Sequence, residues 1–240
     1  MDLAFTILHS LEASDRPLAL KELTERLGMS APKVHHYLVS LVRSEVLRQT
    51  DDRRYDLGPF ALHLGLSALR RLDPVERGIE AARALRDETG DAVFVAIWGS
   101  HGPTIIRYFE GGQLVSVEMR AGLVLPLVAS ATGRVFLTWG NAASIEPVLK
   151  KEPLALKVIL DDVVEETLAQ RLGRADGSML PKIAALSAPV FDRDGRLALA
   201  LTCLGWVGEF DLNVEGPVAA ALKRHAATLS SALGFAARRV

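Results

Sequence analysis

Apolar residues recur every three or four positions in three stretches near the start of the chain, which is the spacing of an amphipathic helix. Gly28 closes the second stretch, because glycine readily takes the left-handed conformation that ends a helix. Ser30 is placed to cap the third stretch, and Pro32 lies in its first turn, where proline is tolerated. The predicted buried positions are Leu3, Ile7, Leu8 and Leu11 in the first helix, Leu20, Leu23 and Leu27 in the second, and Val34, Leu38 and Leu41 in the third. The short turn between the second and third helices predicts a helix-turn-helix.

A two-stranded ribbon is predicted directly after the third helix. Apolar and β-prone residues at 46–47 and 55–57 enclose a polar tip, in which Asp51 and Asp52 favour a turn. A helix-turn-helix with such a wing can insert its second helix into a major groove and lay the ribbon on phosphates. The candidate DNA-contacting residues are Ser30, Lys33, His35, His36, Ser40 and Arg43 on the helix and Arg48, Arg53 and Arg54 on the ribbon. Two alternatives stay open, a merely solvated ribbon tip and a helical module that docks proteins.

The remainder of the chain predicts a linker helix and a second domain. Pro59 opens the linker pattern, and a new helix starts at Pro74, with Asp73 as its cap and Gly90 at its end. Three β-type segments follow at 92–99, 103–111 and 114–119, then helical patterns, a hairpin turning at Asp194–Gly195 and a C-terminal helix at about 214–238. This order predicts an α+β fold with an antiparallel sheet. The expected domains are 1–57 for DNA binding, 58–72 as linker helix and 73–240 for effector binding and oligomerisation.

Composition adds few constraints. The chain has 240 residues, 49% of them apolar, and a formal net charge of −1, so any affinity for nucleic acid must come from a local arrangement of charge. A single cysteine, Cys203, excludes an intramolecular disulfide and a thiolate metal cluster. Neither an export signal nor an apolar run long enough to span a bilayer is present, and we expect a cytoplasmic protein.

Catalytic and metal-binding readings of the remaining motifs are weak. Asp192 and Asp194 resemble a calcium loop but lack a downstream glutamate at the required spacing, so a hairpin turn is favoured. His35 and His36 are adjacent and point to different helix faces, which excludes a same-face metal pair. No Gly-x-Ser-x-Gly motif is present. We therefore expect no enzyme, metal or cofactor, and keep Arg120 as a carboxylate clamp or an ion pair at a strand end.

Four separated motifs resemble the IclR family of bacterial transcriptional regulators. They are the winged helix-turn-helix, RRYDLG at 53–58, RAGLVLPLVASATGRVFLTW at 120–139 and APVFDRDG at 188–195. The resemblance implies a homodimer, often a dimer of dimers, that binds operator DNA and holds a small organic effector in a GAF-like C-terminal domain. It implies effector-binding roles for Leu114, Val117, Ala131, Thr132, Gly133, Asp176, Thr202 and Leu204, to which we add Arg120.

The chain departs from the family's pattern at both sites. Many members have a Ser-Thr pair and then His-Arg in the recognition helix, whereas this chain has Pro32–Lys33 and His35–His36, so we expect Lys33 to replace the arginine. Where members have two glutamates and a cysteine near the pocket, this chain has Gly177, Ser178 and Ala185, which favours an aromatic or partly apolar effector over a small 2-oxo acid. The predicted function is effector-controlled, sequence-specific transcriptional regulation. An enzyme acting on a small acid and a protein-docking module are the alternatives.

Overall fold

The computed structural model describes residues 2–70, 73–112, 119–153 and 159–236. The chain divides into two compact units, Met1–Leu72 and Asp73–Val240. Within the described ranges, no helix is both long enough and apolar enough to cross a membrane.

The first unit is a winged helix-turn-helix. Its elements are α1 (Asp2–Glu12), α2 (Leu20–Leu27), α3 (Ala31–Arg43), β1 (Leu47–Gln49), β2 (Tyr55–Leu57) and α4 (Pro59–Arg70). The strands β1 and β2 pair antiparallel, with Arg48 opposite Asp56, and form the predicted wing. Leu18, just before α2, pairs with Tyr55 through two main-chain hydrogen bonds of 2.9 and 2.8 Å, so a third stretch of chain borders the wing.

The core of this unit follows the predicted apolar spacing with small differences. Its buried side chains are Leu3, Ile7, Leu11, Leu18, Leu23, Val34, Leu38, Leu47 and Tyr55, whereas Leu8, Leu20, Leu27 and Leu41 are partly buried around them. The helix α4 is different, because four of its large apolar side chains are exposed: Phe60 (49%), Leu62 (62%), Leu64 (61%) and Leu66 (42%). This helix therefore buries little of its apolar surface within the described part of its own unit.

The second unit is an α+β domain around one sheet, as predicted. Its helices are α5 (Pro74–Thr89), α6 (Ala131–Trp139), α7 (Ala142–Leu149), α8 (Leu160–Gln170) and α9 (Pro217–Ala232). Its strands are β3 (Ala92–Gly99), β4 (Gly102–Phe109), β5 (Gly173–Asp176), β6 (Ile183–Phe191) and β7 (Leu197–Trp206). They form an antiparallel sheet in the order β4-β3-β7-β6-β5.

Both faces of this sheet are buried. Alternate residues of β3 belong to two separate apolar clusters, with Val93 and Val95 in one and Phe94 and Ala96 in the other. The first cluster includes α5 and α9, and the second includes α6 and the segment before it. Burial on both sides explains why β3 reads as an uninterrupted apolar run.

Three features of this unit differ from the sequence-based expectation or lie beyond it. The strand β5 was not predicted, and α9 ends at Ala232, six residues before the expected end. Most of the β-type segment predicted at 114–119 lies outside the described residues, and its last residue, Met119, is not in a strand. The expected three-stranded meander is thus a β3–β4 hairpin in the described structure, and β7 occupies the other side of β3.

The strand β6 is longer than its outer neighbour. β5 pairs with Ala184–Ser187, so in the described structure no strand borders the outer edge of residues 188–191. Pro189 has no N–H to offer at this edge. The N–H of Phe191 donates instead to Ser230 Oγ on α9, at 3.0 Å.

Candidate functional site

The turn between α2 and α3 is the first part of the candidate DNA-binding surface. Gly28 takes the predicted left-handed conformation, with φ of +61°, and its neighbourhood is open. Ser30 holds the N-cap position of α3 in an extended conformation, but its hydroxyl makes no capping hydrogen bond, so that prediction was wrong. Pro32 removes one of the two N–H groups that a cap can accept from, and the other, of Lys33, donates to the Ser30 carbonyl at 3.1 Å.

The outward face of α3 carries the polar residues proposed from the sequence. Lys33, His35, His36, Ser40 and Arg43 are all exposed, whereas Val34 and Leu38 on the opposite face are buried. Within the described ranges, neither Lys33 nor Arg43 forms an ion pair. Both cations are therefore available to an external anion.

The three wing arginines have unequal surroundings. Arg48 Nη2 lies 2.6 Å from Asp56 Oδ2 across the ribbon, and Arg54 Nη1 lies 2.9 Å from Glu22 Oε2. Arg53 occupies the turn with φ of +59°, is exposed, and has no ionic partner among the described residues. The sequence predicted the same role for all three arginines, but of the three only Arg53 has a guanidinium without an ionic partner among the described residues.

A cavity in the second unit lies between the start of α6 and the sheet, and its volume is about 30 Å³. Strand register brings its polar and apolar walls together, because Phe94 pairs with Thr202 and Ala185 pairs with Leu204. No charged side chain occurs in the described lining, which consists of Phe94, Met119, Leu125, Ser130, Ala131, Thr132, Ala175, Met179, Leu180, Ile183, Ala185, Thr202 and Leu204.

The effector residues proposed from the sequence fall into three groups. Ala131, Thr132, Thr202 and Leu204 line the cavity. Gly133, Asp176 and Arg120 do not, and Leu114 and Val117 lie outside the described residues.

The residues that do not line the cavity have other surroundings. Asp176 is exposed, with Oδ2 3.7 Å from Arg174 Nη2, and Arg120 is exposed. Gly133 allows the chain to approach itself, because a Cβ at this position would lie 2.0 Å from the Pro126 carbonyl oxygen.

A chain of buried hydroxyls runs from the cavity wall into the sheet. Thr132 Oγ1 lies 2.8 Å from Thr202 Oγ1, which donates to Ser187 Oγ at 2.9 Å, and Ser187 in turn donates to the Leu201 carbonyl at 3.3 Å. Each hydroxyl has one proton, so Thr132 must be the donor in the first contact. All three protons are used within the protein, and the two threonine oxygens at the wall can act only as acceptors.

The start of α6 supplies donors to the same cavity. Ser130 caps the helix, since its Oγ accepts the Gly133 N–H at 2.8 Å and donates to the Pro126 carbonyl at 2.7 Å. The N–H groups of Ala131 and Thr132 lie in the first turn, where helical amides have no intrahelical acceptor. A ligand here can therefore meet backbone donors and hydroxyl acceptors inside an apolar enclosure.

Sequence reasoning missed most of the apolar lining. Phe94, Leu125 and Met179 come from three separate parts of the chain, and only strand register and loop packing place them together. Ala185 could be identified in advance, because the family resemblance already indicated that this position lies near the pocket.

Comparison with protein families and solved structures agrees with this architecture. Residues 2–51 match the IclR helix-turn-helix domain, and residues 67–231 match the bacterial transcriptional regulator IclR C-terminal domain. The chain is 24% identical over 218 residues to the HTH-type transcriptional regulator BhcR of Paracoccus denitrificans. The matched region covers 85% of this chain and 76% of that protein. It is 22% identical over 207 residues to the regulator KdgR of Escherichia coli, which covers 82% and 78% respectively.

Two crystal structures share the fold over nearly the whole chain. Pseudomonas aeruginosa HmgR is 33% identical, with a TM-score of 0.86 and coverage of 98% of this chain and 97% of that one. The Agobacterium tumefaciens repressor BlcR is 20% identical, with a TM-score of 0.84 and coverage of 98% and 96%. The two domain matches together span most of the chain, and this protein therefore belongs to the IclR family of DNA-binding transcriptional regulators.

Proposed function

We propose that the protein is a cytoplasmic, homodimeric regulator whose affinity for operator DNA is controlled by a small organic acid bound in the α6 cavity. Residues 1–57 contact the DNA, residues 58–72 link the units, and residues 73–240 bind the effector and contribute to oligomerisation. The exposed, unpaired cations of α3 support the first role. The cavity with its donors and acceptors in an apolar wall supports the last role.

On the DNA side, α3 enters the major groove and the wing meets the backbone. Ser30 holds the N-cap position, and Lys33, His35 and His36 lie in the first half of α3, the part of a recognition helix that reaches base edges. Ser40 and Arg43 follow on the same exposed surface, and Arg53 provides the wing contact. Lys33 supplies the basic contact at the start of the helix.

On the effector side, the lining favours an aromatic or other partly apolar acid. At about 30 Å³ the cavity is well below the ~300–1,000 Å³ of typical small-molecule sites, so its walls have to move apart to admit such an acid. With no charged side chain in the described lining, a carboxylate would be received by the amides of Ala131 and Thr132 at the positive end of α6. Phe94, Leu180 and Ile183 would then contact the apolar part of the molecule.

The exposed apolar surface of α4 supports the homodimer. Phe60, Leu62, Leu64 and Leu66 are each more than 40% exposed, and soluble proteins rarely leave such a cluster in contact with water. A second copy of α4 presents the same exposed apolar side chains, so it is the partner that we propose for this surface. The expected consequence is that Leu62→Glu lowers the mass measured by light scattering from dimer to monomer.

Effector and DNA are coupled through the equilibrium between two arrangements of the dimer. An effector changes operator affinity only as far as it binds one arrangement better, and the operator changes effector affinity by the same factor. A regulator releases its effector unchanged, whereas an enzyme would convert the bound acid. Recovery of unchanged effector therefore separates the two functions.

The decisive experiment measures binding to a duplex selected by the protein from a random-sequence library. We expect Lys33→Gln to weaken binding, since it removes an exposed α3 cation, and Lys21→Gln on the outer surface of α2 to change it little. A thermal-shift comparison of benzoate with pyruvate tests the effector class, because a ligand of the folded state raises its stability. If selection yields no preferred duplex at low salt, the proposed function is wrong.

A further inference from the structure

The carboxylate of Glu22 is the meeting point of three segments of the first unit. Its Oε2 accepts hydrogen bonds from Arg54 Nη1 at 2.9 Å and from the Ala19 N–H at 2.8 Å, and its Oε1 accepts from Arg16 Nη2 at 2.6 Å. Glu22 belongs to the first helix of the helix-turn-helix, and Arg54 belongs to the wing. One acidic side chain therefore connects α2, the loop before it and the tip side of the ribbon.

Arg54 extends this connection into the wing tip. Its Nε lies 3.0 Å from Asp52 Oδ2, and its Nη1 also lies 3.4 Å from the Pro17 carbonyl. The main-chain N–H of Arg54 donates to Thr50 Oγ1 at 3.1 Å, and Thr50 Oγ1 also lies 2.5 Å from Asp52 Oδ1. The guanidinium of Arg54 thus binds partners within its own unit, whereas that of the preceding residue, Arg53, has no ionic partner among the described residues.

We propose that Glu22 is a positioning residue for DNA binding: it holds the wing through Arg54, so that Arg53 is presented to the phosphate backbone in a fixed place. The inference rests on the proposed operator binding. The Leu18–Tyr55 pairing holds the first strand residue after the turn, and the Glu22–Arg54 contact holds the neighbouring residue, which lies in the turn itself. The hydrogen bonds from Arg16 and from the Ala19 N–H, with a smaller contribution from the charge of Arg54, lower the pKa of Glu22 to about 2, so the carboxylate stays charged throughout the working range of pH.

This role predicts an effect whose sign is opposite to simple electrostatics. Removing an acidic group from a DNA-binding surface should tighten binding, because less negative charge opposes the phosphates. If Glu22 positions the wing, Glu22→Gln weakens binding despite the gain in positive charge. The loss of one phosphate contact corresponds to about an eightfold weaker affinity near 0.1 M salt, and the slope of log affinity against log salt falls by about one per protomer.

The test compares Glu22→Gln, Glu25→Gln and Arg54→Lys on the selected operator duplex over a range of salt concentrations. Glu25 lies on the same helix, its side chain is 66% exposed, and among the described residues its carboxylate forms an ion pair only with Lys21, at 3.9 Å, so its variant makes the same charge change without freeing the wing. We expect Glu25→Gln to bind as tightly as the wild type or tighter. Arg54→Lys keeps the charge but loses the forked contacts, so it should weaken binding as Glu22→Gln does.

A double-mutant cycle with Arg53→Gln completes the test. In the wild-type background this substitution should lower the salt slope by about one per protomer, and in the Glu22→Gln background it should have little further effect. Binding by Glu22→Gln that equals or exceeds that of Glu25→Gln would overturn the inference, as would full additivity with Arg53→Gln. If Glu22→Gln fails to fold, Arg54→Lys decides, and unchanged binding by that variant refutes the role. Failure of the wild type to select any duplex refutes the proposed function itself.

Discussion

Removing the hydroxyl of Thr202 should destabilise the second unit more than removing that of Thr132. The two side chains are in contact at 2.8 Å, both are about 1% exposed, and valine resembles threonine in shape. They differ in their place along the hydroxyl chain, where Thr132 donates to Thr202 and Thr202 donates to Ser187. Thr202→Val leaves the Thr132 proton without an acceptor, whereas Thr132→Val leaves every remaining hydroxyl proton paired.

The expected magnitudes follow from that difference. An orphaned buried donor costs about 1–3 kcal/mol, in addition to the hydrogen bond that is lost. Thr132→Val removes the donor itself, so its cost should stay below about 1.5 kcal/mol, the net value of an ordinary hydrogen bond. The double variant should be more stable than the sum of the two single effects implies, because it contains no orphaned donor.

Tryptophan fluorescence during urea unfolding can measure this in the full chain. Its three tryptophans, Trp98, Trp139 and Trp206, all lie in the second unit, so the signal reports that unit alone. The free energy of unfolding should be compared at an unchanged slope against urea concentration. If Thr132→Val costs as much as Thr202→Val, the donor direction assigned here is incorrect.

Three further predictions concern the second unit. Burial raises the pKa of the Cys203 thiol, so we expect this cysteine to react with a thiol reagent only after unfolding, and rapid reaction of native protein would contradict its buried position. Gly133→Ala should cost about 3 kcal/mol in unfolding free energy, because its Cβ would lie 2.0 Å from the Pro126 carbonyl oxygen and the main chain before α6 would have to move. The hydrogen bond from Arg224 lowers the pKa of Glu88, so this group stabilises the fold above its unfolded pKa and loses that contribution as pH falls through the folded value. Glu88→Gln should therefore make stability less dependent on pH in acid, as measured by urea unfolding at a series of pH values.

The sequence predicted the winged unit well because its elements are defined locally. Leu23, Val34 and Leu38 are buried as their spacing required, and Gly28 ends α2 with the expected conformation. The error at Ser30 was also local, because Pro32 removes an N–H that the cap would have used. The pairing of Arg54 with Glu22 could not be read from spacing, since the two residues lie 32 positions apart.

The cavity beside α6 was predicted only in part, for a different reason. The residues of α6 follow one another along the chain, so Ala131 and Thr132 could be identified together. The remaining walls depend on which strands become neighbours, and the sheet places β7 between β3 and β6. The strand β5 was missed because its sequence, GRAD, carries no alternating pattern of its own.

The overhanging end of β6 has a consequence for the behaviour of the protein at high concentration. An uncovered strand edge normally attracts another strand, which is a common origin of aggregation. Here the positions facing that edge are Pro189, which has no donor, and Phe191, whose donor is already bound by Ser230. An incoming strand would find no free N–H at these two positions, so within the described residues this edge needs no further strand to protect it. Replacing Pro189 and Ser230 together would therefore convert a closed boundary into a template for assembly.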